Sequence, residues 1–308
     1  MALKYFLRLS QLDKDFEVFY NLGVIYMDIN RPHDAIEYFT ESLHFKANNY
    51  ATHINLGAIY LKLGDYTNAR KHYEFCLSLQ PDNQEIKYIL DAILQKKFPN
   101  KAPDEYVKNL FDQYSNIFEK HLAALNYKAP ELLFNTVSAA INIQEKKFNI
   151  LDLGCGTGLC GKLFYPYSKK LIGIDLSPKM IEIAKQKNIY NELIVANIEK
   201  ALLSFENIDI ILAADTLVYL GDLSTVFNAV KKVLLVNGIF ALTLEKSDKY
   251  PFVLQQSARF AHSEKYIKDL VAQNGFAILS YKNVVVRNQR NLPVESCLFL
   301  LRKIQLDD

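Results

Sequence analysis

Asn149-Ile150-Leu151-Asp152-Leu153-Gly154-Cys155-Gly156-Thr157-Gly158 decides the architecture of the larger part of this chain. An apolar run carrying one acid gives way to three alternate glycines, the pattern of a strand that turns tightly into a helix. Glycines there let the backbone approach a ligand closely. Downstream, Gly173-Ile174-Asp175-Leu176-Ser177-Pro178-Lys179-Met180 ends a second apolar run on an acid, 17 residues after Gly158. An acid at a second strand's tip is placed to chelate ribose hydroxyls. A dinucleotide loop would read GxGxxG, with pyrophosphate on the helix N-terminus; the acid-x-GxGxG form here is tighter. The competing reading makes the glycines a plain turn and Asp175 an ordinary acid before a helix.

From Phe148 onward, short apolar runs alternate with helical stretches, which predicts a βαβ series and a mainly parallel sheet. Strands are expected at 148–153, 170–175, 192–196, 208–214, 238–245, 276–287 and 294–302, with helices at about 159–167, 178–187, 222–235 and 263–273. Only the polar turn Asn288–Asn291 separates the last two strands, so they should form an antiparallel hairpin. Upstream, a helix capped by Asp104 is expected through about Leu122, with Tyr106, Leu110, Phe111, Tyr114 and Phe118 on its apolar side, and another at about 130–142. Phe98-Pro99-Asn100-Lys101-Ala102-Pro103 cannot continue a helix and is expected to be a linker.

The first third repeats itself. A shift of 34 positions lays 16–49 on 50–83: Asn21-Leu22-Gly23 meets Asn55-Leu56-Gly57, Ile25-Tyr26 meets Ile59-Tyr60, Ala35 meets Ala69, Leu43 meets Leu77 and Asn49 meets Asn83. That period and pattern resemble the tetratricopeptide repeat, a helix–turn–helix unit. Turns are expected near Asp28–Pro32 and Lys62–Tyr66. Residues 2–15 read as half of a preceding unit, and 84–97, with Ile86, Ile89, Leu90 and Ile93 on one face, as a capping helix. The expected organisation is therefore repeats over 1–97, a linker at 98–103 and an α/β domain over 104–308. The repeat groove can hold a protein or peptide partner, or the repeats can brace the second domain; the pattern does not choose between them.

Composition narrows the field. Half of the 308 residues are hydrophobic and 23% are charged, with 36 Lys+Arg against 34 Asp+Glu. This is a globular chain without a run of like charges, so neither nucleic acid nor a membrane is expected as a partner. The four cysteines (Cys76, Cys155, Cys160, Cys297) form no C-x-x-C pair, and the six histidines show no metal-ligand spacing. Free thiols and no metal are expected. No 18-residue apolar run or signal-like N-terminal stretch occurs, which predicts a cytoplasmic protein.

The acid-x-GxGxG loop and the Asp-Leu-Ser-Pro-x-Met segment resemble the first two motifs of class I S-adenosylmethionine-dependent methyltransferases. Leu110-Phe111-Asp112-Gln113-Tyr114, Tyr127–Leu133, Ala213-Ala214-Asp215, Val218–Leu223 and Phe260-Ala261-His262-Ser263 look like predicted methyltransferases bearing tetratricopeptide repeats. The resemblance implies a seven-stranded Rossmann-like α/β domain behind an all-α repeat domain, with S-adenosylmethionine as methyl donor. It implies cofactor contacts from Asp152, Gly154, Cys155, Gly156, Gly158, Asp175 (ribose), and Leu176 and Met180 (adenine). Asn197 and Ile198 would border the adenine amine, where related enzymes usually carry Asp. Tyr114 would cover the cofactor as a lid, and Asp215 would face the methyl end. Asp215, Tyr219 and His262 are the candidate catalytic groups, with His262 as general base; their alternatives are a helix cap, core packing and a second helix cap. Glu245 ends the fifth strand, as an acid of the site or of the surface. A small-molecule acceptor with O-methylation is the leading expectation. The others are a protein substrate docked on the repeats and a non-catalytic adaptor; no Asn/Asp-Pro-Pro-Tyr sequence follows the fourth strand to suggest amino methylation of adenine or glutamine.

Overall fold

The computed structural model describes residues 2–12, 14–95, 98–141, 143 and 147–305. Contacts divide it into two compact units, Met1–Lys97 with Gln256–Ala258, and Phe98–Gln255 with Arg259–Asp308.

The first unit is helical: α1 (Ala2–Leu12), α2 (Phe16–Asp28), α3 (Pro32–Phe45), α4 (Tyr50–Leu63), α5 (Tyr66–Leu79) and α6 (Gln84–Leu94). The 34-residue recurrences have physical reasons. Asn49 and Asn83 cap α4 and α6, each accepting from a backbone N–H three residues on. Gly23 lies under the Phe39 ring and Gly57 under Tyr73; a Cβ would stand 2.6 and 3.0 Å from those rings. Ala35 and Ala69 are fully buried. Leu22, Tyr26, Phe39, Leu56 and Ile59 fill one core. The four residues expected on the apolar face of α6 are buried, together with Tyr88 and Ala92. Lys96 and Lys97, the end of the expected capping helix, lie outside the described residues.

The second unit opens with α7 (Asp104–Tyr114), α8 (Phe118–Ala124) and α9 (Ala129–Ala140). The sheet then alternates with helices: β1 (Phe148–Leu153), α10 (Leu159–Phe164), β2 (Ser168–Asp175), α11 (Pro178–Gln186), β3 (Glu192–Val195), α12 (Ile198–Ala201), β4 (Ile208–Ala213), α13 (Ser224–Val233) and β5 (Leu234–Lys246). It closes with β6 (Phe252–Leu254), β7 (Phe260–His262), α14 (Glu264–Gln273), β8 (Phe276–Gln289) and β9 (Leu292–Lys303). Strands run β3-β2-β1-β4-β5, all parallel; β9 pairs antiparallel with β5, and β8 with β9. Arg290 and Asn291, both at positive φ, make the expected hairpin turn.

Alternation assigns each strand's faces. Leu151, Leu153, Ile211, Ala213, Phe240 and Leu242 join the core beneath α13 and α14. Ile150, Ile210, Leu212, Ile239 and Ala241 join the core with Leu133 and Val137 of α9 and Cys160 and Phe164 of α10. Asp152 and Glu245 therefore fall on the α9–α10 side, at the carboxyl ends of their strands. The order reverses between β1 and β4, which is where an open α/β sheet leaves a ligand crevice.

Two expectations need correction. The helix expected over 104–122 breaks at Ser115–Ile117 into a 3₁₀ turn. Ser115 Oγ donates to the Asp112 carbonyl (3.0 Å) and competes with the helical ladder. Pro103, not Asp104, holds the N-cap position, and Asp104 sits in the first turn. The 246–262 segment contains a hairpin, β6–β7, that continues the sheet beyond the end of β5. The 98–103 stretch carries no helix but is not a free tether. Ala102 N donates to the Tyr219 carbonyl (2.9 Å), and the Asn100 carbonyl accepts from Gly221 and Asp222.

Candidate functional site

Beyond Leu153 the backbone enters positive φ at Gly154 (63°), Gly156 (53°) and Gly158 (88°). Space matters as well as dihedral at the first of these: a Cβ on Gly154 would lie 2.3 Å from the Thr216 side chain. Thr216 is itself fixed, donating to the Leu153 carbonyl at 2.9 Å. A Cβ on Gly156 would meet only the Phe118 ring, at 3.6 Å. Cys155 N donates to the Ile174 carbonyl (2.9 Å), which ties the loop to β2. Burial pushes the Cys155 thiol well above its ordinary range, so it is an inert packing group.

Asp175 is anchored by backbone on both oxygens. Oδ2 accepts from Gly156 N (2.8 Å) and Oδ1 from Ser177 N (2.9 Å). Burial raises its carboxyl to about 6 against the pull of those N–H groups. Asp152 is buried deeper: Oδ2 accepts from the Tyr190 hydroxyl (2.7 Å), and Oδ1 is buried without a hydrogen-bond partner. Burial lifts its carboxyl to about 7, with the nearby Asp175 charge adding to the rise. A buried acceptor left open beside a glycine loop fits an incoming donor, such as a ligand ammonium.

The second motif is built in the same way. Ser177 caps α11, accepting from Met180 N (3.1 Å), and donates through Oγ to Asp112 Oδ1 of α7 (2.5 Å). Leu176 is half-buried and Met180 fully buried. Asn197 is fully employed: its side-chain oxygen caps α12 through Glu199 N (2.9 Å) and Lys200 N (3.4 Å), and its amide donates to Asp104 (2.9 Å). The oxygen expected to accept from an adenine amine is thus a helix cap; Ile198 begins α12 beside it.

An acid–arginine network lies at the ends of β4 and β5. Asp215 stands at φ 56°, its N–H donating to Thr243 Oγ1 (2.8 Å). Arg287 spans Asp215 (2.6 Å) and Glu245 (2.5 Å), and Arg259 reaches the same two oxygens at 3.4 and 3.5 Å. Glu245 is buried, not a surface acid. Arg259 also lies over the Tyr219 ring, 5.6 Å from its centre, and Tyr219 meets Phe111 edge to face. Tyr114 is hydrogen-bonded to His121 and stands edge-on to Phe118. Burial raises its hydroxyl to about 12, and the charge of Arg259 opposes the rise. Tyr127 feels the charges of Asp215, Arg287 and Arg259 as well as burial.

His262 does not join this group. It lies fully buried in β7, with Nε2 donating to the Gly221 carbonyl (3.0 Å) and its ring between Phe252 and Tyr266. Burial drops its pKa to about 4. The expectation of a general base facing the acceptor is corrected: the ring is a neutral core group, stapling the hairpin to the 217–221 turn. Arg259, Arg287 and Tyr127 were not anticipated. Arg287 had a signal, a charge at the end of Val284-Val285-Val286, and Arg259 directly precedes the quoted Phe260–Ser263 segment. Among the described residues no cluster of metal-ligating side chains occurs, and no helix is long and apolar enough to cross a membrane.

With that geometry in place, the comparisons are specific. Residues 144–286 match a methyltransferase-domain family, and 16–49 and 50–83 each match a tetratricopeptide-repeat family. The chain carries a methyltransferase domain behind two tetratricopeptide repeats. Methyltransferase-like protein 27 of Homo sapiens is 33% identical over 86 residues, 28% of this chain and 35% of that protein. Malonyl-[acyl-carrier protein] O-methyltransferase 1 of Ilyobacter polytropus is 27% identical over 190 residues, 58% of this chain and 64% of that one. In both, less than two thirds of the relative's length is spanned. A Burkholderia thailandensis 1,6-didemethyltoxoflavin-N1-methyltransferase, solved with its acceptor and S-adenosylhomocysteine, superposes with a TM-score of 0.52 at 17% identity, over 68% of this chain and 93% of its own. That likeness is one of fold.

Proposed function

We propose that this methyltransferase domain transfers the methyl group of S-adenosylmethionine to an oxygen of a small acceptor. The observation that carries the reading is Asp175: a carboxylate fixed at the tip of β2 by the N–H groups of Gly156 and Ser177, with lone pairs left for two ribose hydroxyls. Asp152 Oδ1 would receive the ammonium of the methionine part, and the Gly154–Gly158 backbone would lie along it, with Cys155 as filler. Leu176, Met180 and Ile198 would border the adenine. Tyr114 would cover the sulfur end, and Asp215 and Tyr219 would line the acceptor side. When bound, the sulfonium supplies an electrophilic methyl group.

What this chain contributes is positioning. The Phe118 ring lies over Gly156, and Phe111 and Tyr114 of α7 stand beside it, so α7 and α8 exclude water above the loop. Proximity and a dry site account for most of such a rate. O-methylation matches what the printed name of the Ilyobacter relative says of that enzyme. The repeats would dock a protein partner or brace the domain.

Calorimetry tests the reading. S-adenosylhomocysteine should bind the full chain, and Asp175→Ala should weaken it by about 1.5–3 kcal/mol, the value of hydrogen bonds to a charge. Preference for NAD over the methyl donor would overturn it.

A further inference from the structure

Two guanidinium groups meet at the acceptor side, and they are held differently. The Arg287 side chain is 3% exposed and gives one nitrogen to each acid at 2.6 and 2.5 Å. The Arg259 side chain is 24% exposed and touches the same oxygens at 3.4 and 3.5 Å, both times through Nη1. Arg287 makes the short bond to each acid, and the two guanidinium groups together balance the two carboxylate charges. Arg259 touches the acids only through Nη1, which leaves Nε and Nη2 unbonded among the described residues. A planar fork with free parallel donors suits a carboxylate.

Among the described residues of the acid–arginine network itself, none is free to take a proton. His262 is locked in the core on the Gly221 carbonyl, and Asp215 is held by two guanidinium groups. Burial keeps the Tyr114 and Tyr127 hydroxyls protonated. A hydroxyl or amine acceptor must shed a proton as it is methylated. A carboxylate is already the nucleophile.

Resting on the methyl-transfer reading above, we propose that the acceptor is a carboxylic acid, gripped by Arg259 and methylated on a carboxylate oxygen. A lone pair of that oxygen forms the new O–C bond. The methyl C–S bond breaks, and its electron pair stays on sulfur. Anion and sulfonium become a neutral methyl ester and a neutral thioether, so no proton has to leave. Arg259 holds the carboxylate through Nε and Nη2 and aims one oxygen at the methyl carbon, while its Nη1 stays on Asp215 and Glu245, whose two charges Arg287 and Arg259 balance together.

The test uses the full chain with S-adenosylhomocysteine bound, titrated by calorimetry with malonyl-coenzyme A, hexanoate and benzoate, and with the matching primary amides of the latter two. At least one acid should bind and its amide should not. Arg259→Gln should weaken that acid by about 10- to 150-fold, the range for hydrogen bonds to a charge, with Arg259→Lys in between. S-adenosylhomocysteine affinity should stay near wild type in both variants, and Arg259→Lys, which keeps the charge facing Asp215 and Glu245, should also melt near wild type. With methyl-labelled donor, the label should appear as alkali-released methanol, with no proton uptake or release per turnover. Binding of no acid to the loaded enzyme, equal binding by Arg259→Gln, or an alkali-stable product formed with one proton per turnover would overturn the carboxylate assignment. Failure of S-adenosylhomocysteine itself to bind would instead remove the methyl-transfer reading beneath it.

Discussion

Gly154 and Gly156 both stand at positive φ, yet they answer to different constraints. The left-handed region costs any other L-residue about 1–2 kcal/mol. At Gly154 a Cβ would also drive into Thr216 at 2.3 Å, and Thr216 is tied to the Leu153 carbonyl. Gly154→Ala should lose roughly 2–5 kcal/mol of stability, dihedral strain and overpacking together. Gly156→Ala has room for its methyl group beside Phe118, so it should fold with only the dihedral penalty. Its loss should appear in S-adenosylhomocysteine affinity, by tenfold or about 1.4 kcal/mol and more, if the ligand lies along that backbone. Melting curves and calorimetry on the two variants separate the cases; unchanged affinity in Gly156→Ala would place the ligand elsewhere. These glycines and Asp175 were legible in the sequence because loop geometry is a local property, written in neighbouring residues. The arginine network was not. Asp215, Glu245, Arg259 and Arg287 come from four separate elements, and only the folded sheet brings them within hydrogen-bond reach.

Among the elements, the β6–β7 hairpin was the hardest to anticipate. Its strands have three residues each, too short to show a period of two, and β7 is placed by pairing with the overhanging end of β5 at Glu245 and Lys246. The break between α7 and α8 was hidden for a related reason: 111, 114 and 118 fit one helical stripe whether or not Ser115 interrupts it. His262 is the buried polar member of the hairpin, and it makes the hairpin's stability depend on pH. Its pKa falls from 6.5 to about 4 on folding. As pH drops below 6.5 the unfolded chain takes the proton first, so stability is lost on acidification between 6.5 and 4 and is unaffected above that window. From pH 7.5 to 5 this group should remove about 2 kcal/mol. In His262→Gln a side-chain amide can still donate to the Gly221 carbonyl. That variant should be less stable than wild type at pH 7.5 and should lose about 2 kcal/mol less on going to pH 5. Urea titrations of both proteins at the two pH values measure the difference; parallel losses would mean that the histidine is not neutral in the fold.

At the scale of the whole molecule, the repeats and the sheet draw their hydrophobic interiors from different parts of the chain. Leu22, Phe39 and Leu56 pack within the repeats. Leu151, Phe227, Phe240 and Phe299 pack on one face of the sheet, and Leu133, Ile150, Phe164 and Leu298 on the other. The repeats were legible because each unit restates the one before it, with caps and small residues falling 34 positions apart. The sheet was legible in its alternating apolar runs and helical stretches, and the glycine loop after β1 in its spacing. What this implies for autonomy is specific. A chain starting at Phe98 retains Asn100 and Ala102, whose hydrogen bonds to 219–222 belong to the sheet unit and not to the repeats. It also retains α7 to α9 and both cores that flank the sheet. We propose that residues 98–308 fold by themselves. The fragment should melt in one cooperative transition and bind S-adenosylhomocysteine within a fewfold of the full chain, since every residue assigned to the ligand lies within it. Gln256–Ala258 group with the helical unit. Any loosening should therefore be confined to the turn between β6 and β7, read as faster amide exchange there than in β1, β4 and β5. Absence of a cooperative transition in the fragment, or exchange spreading through those central strands, would mean that the repeats complete the enzyme's interior and are not an attachment to it.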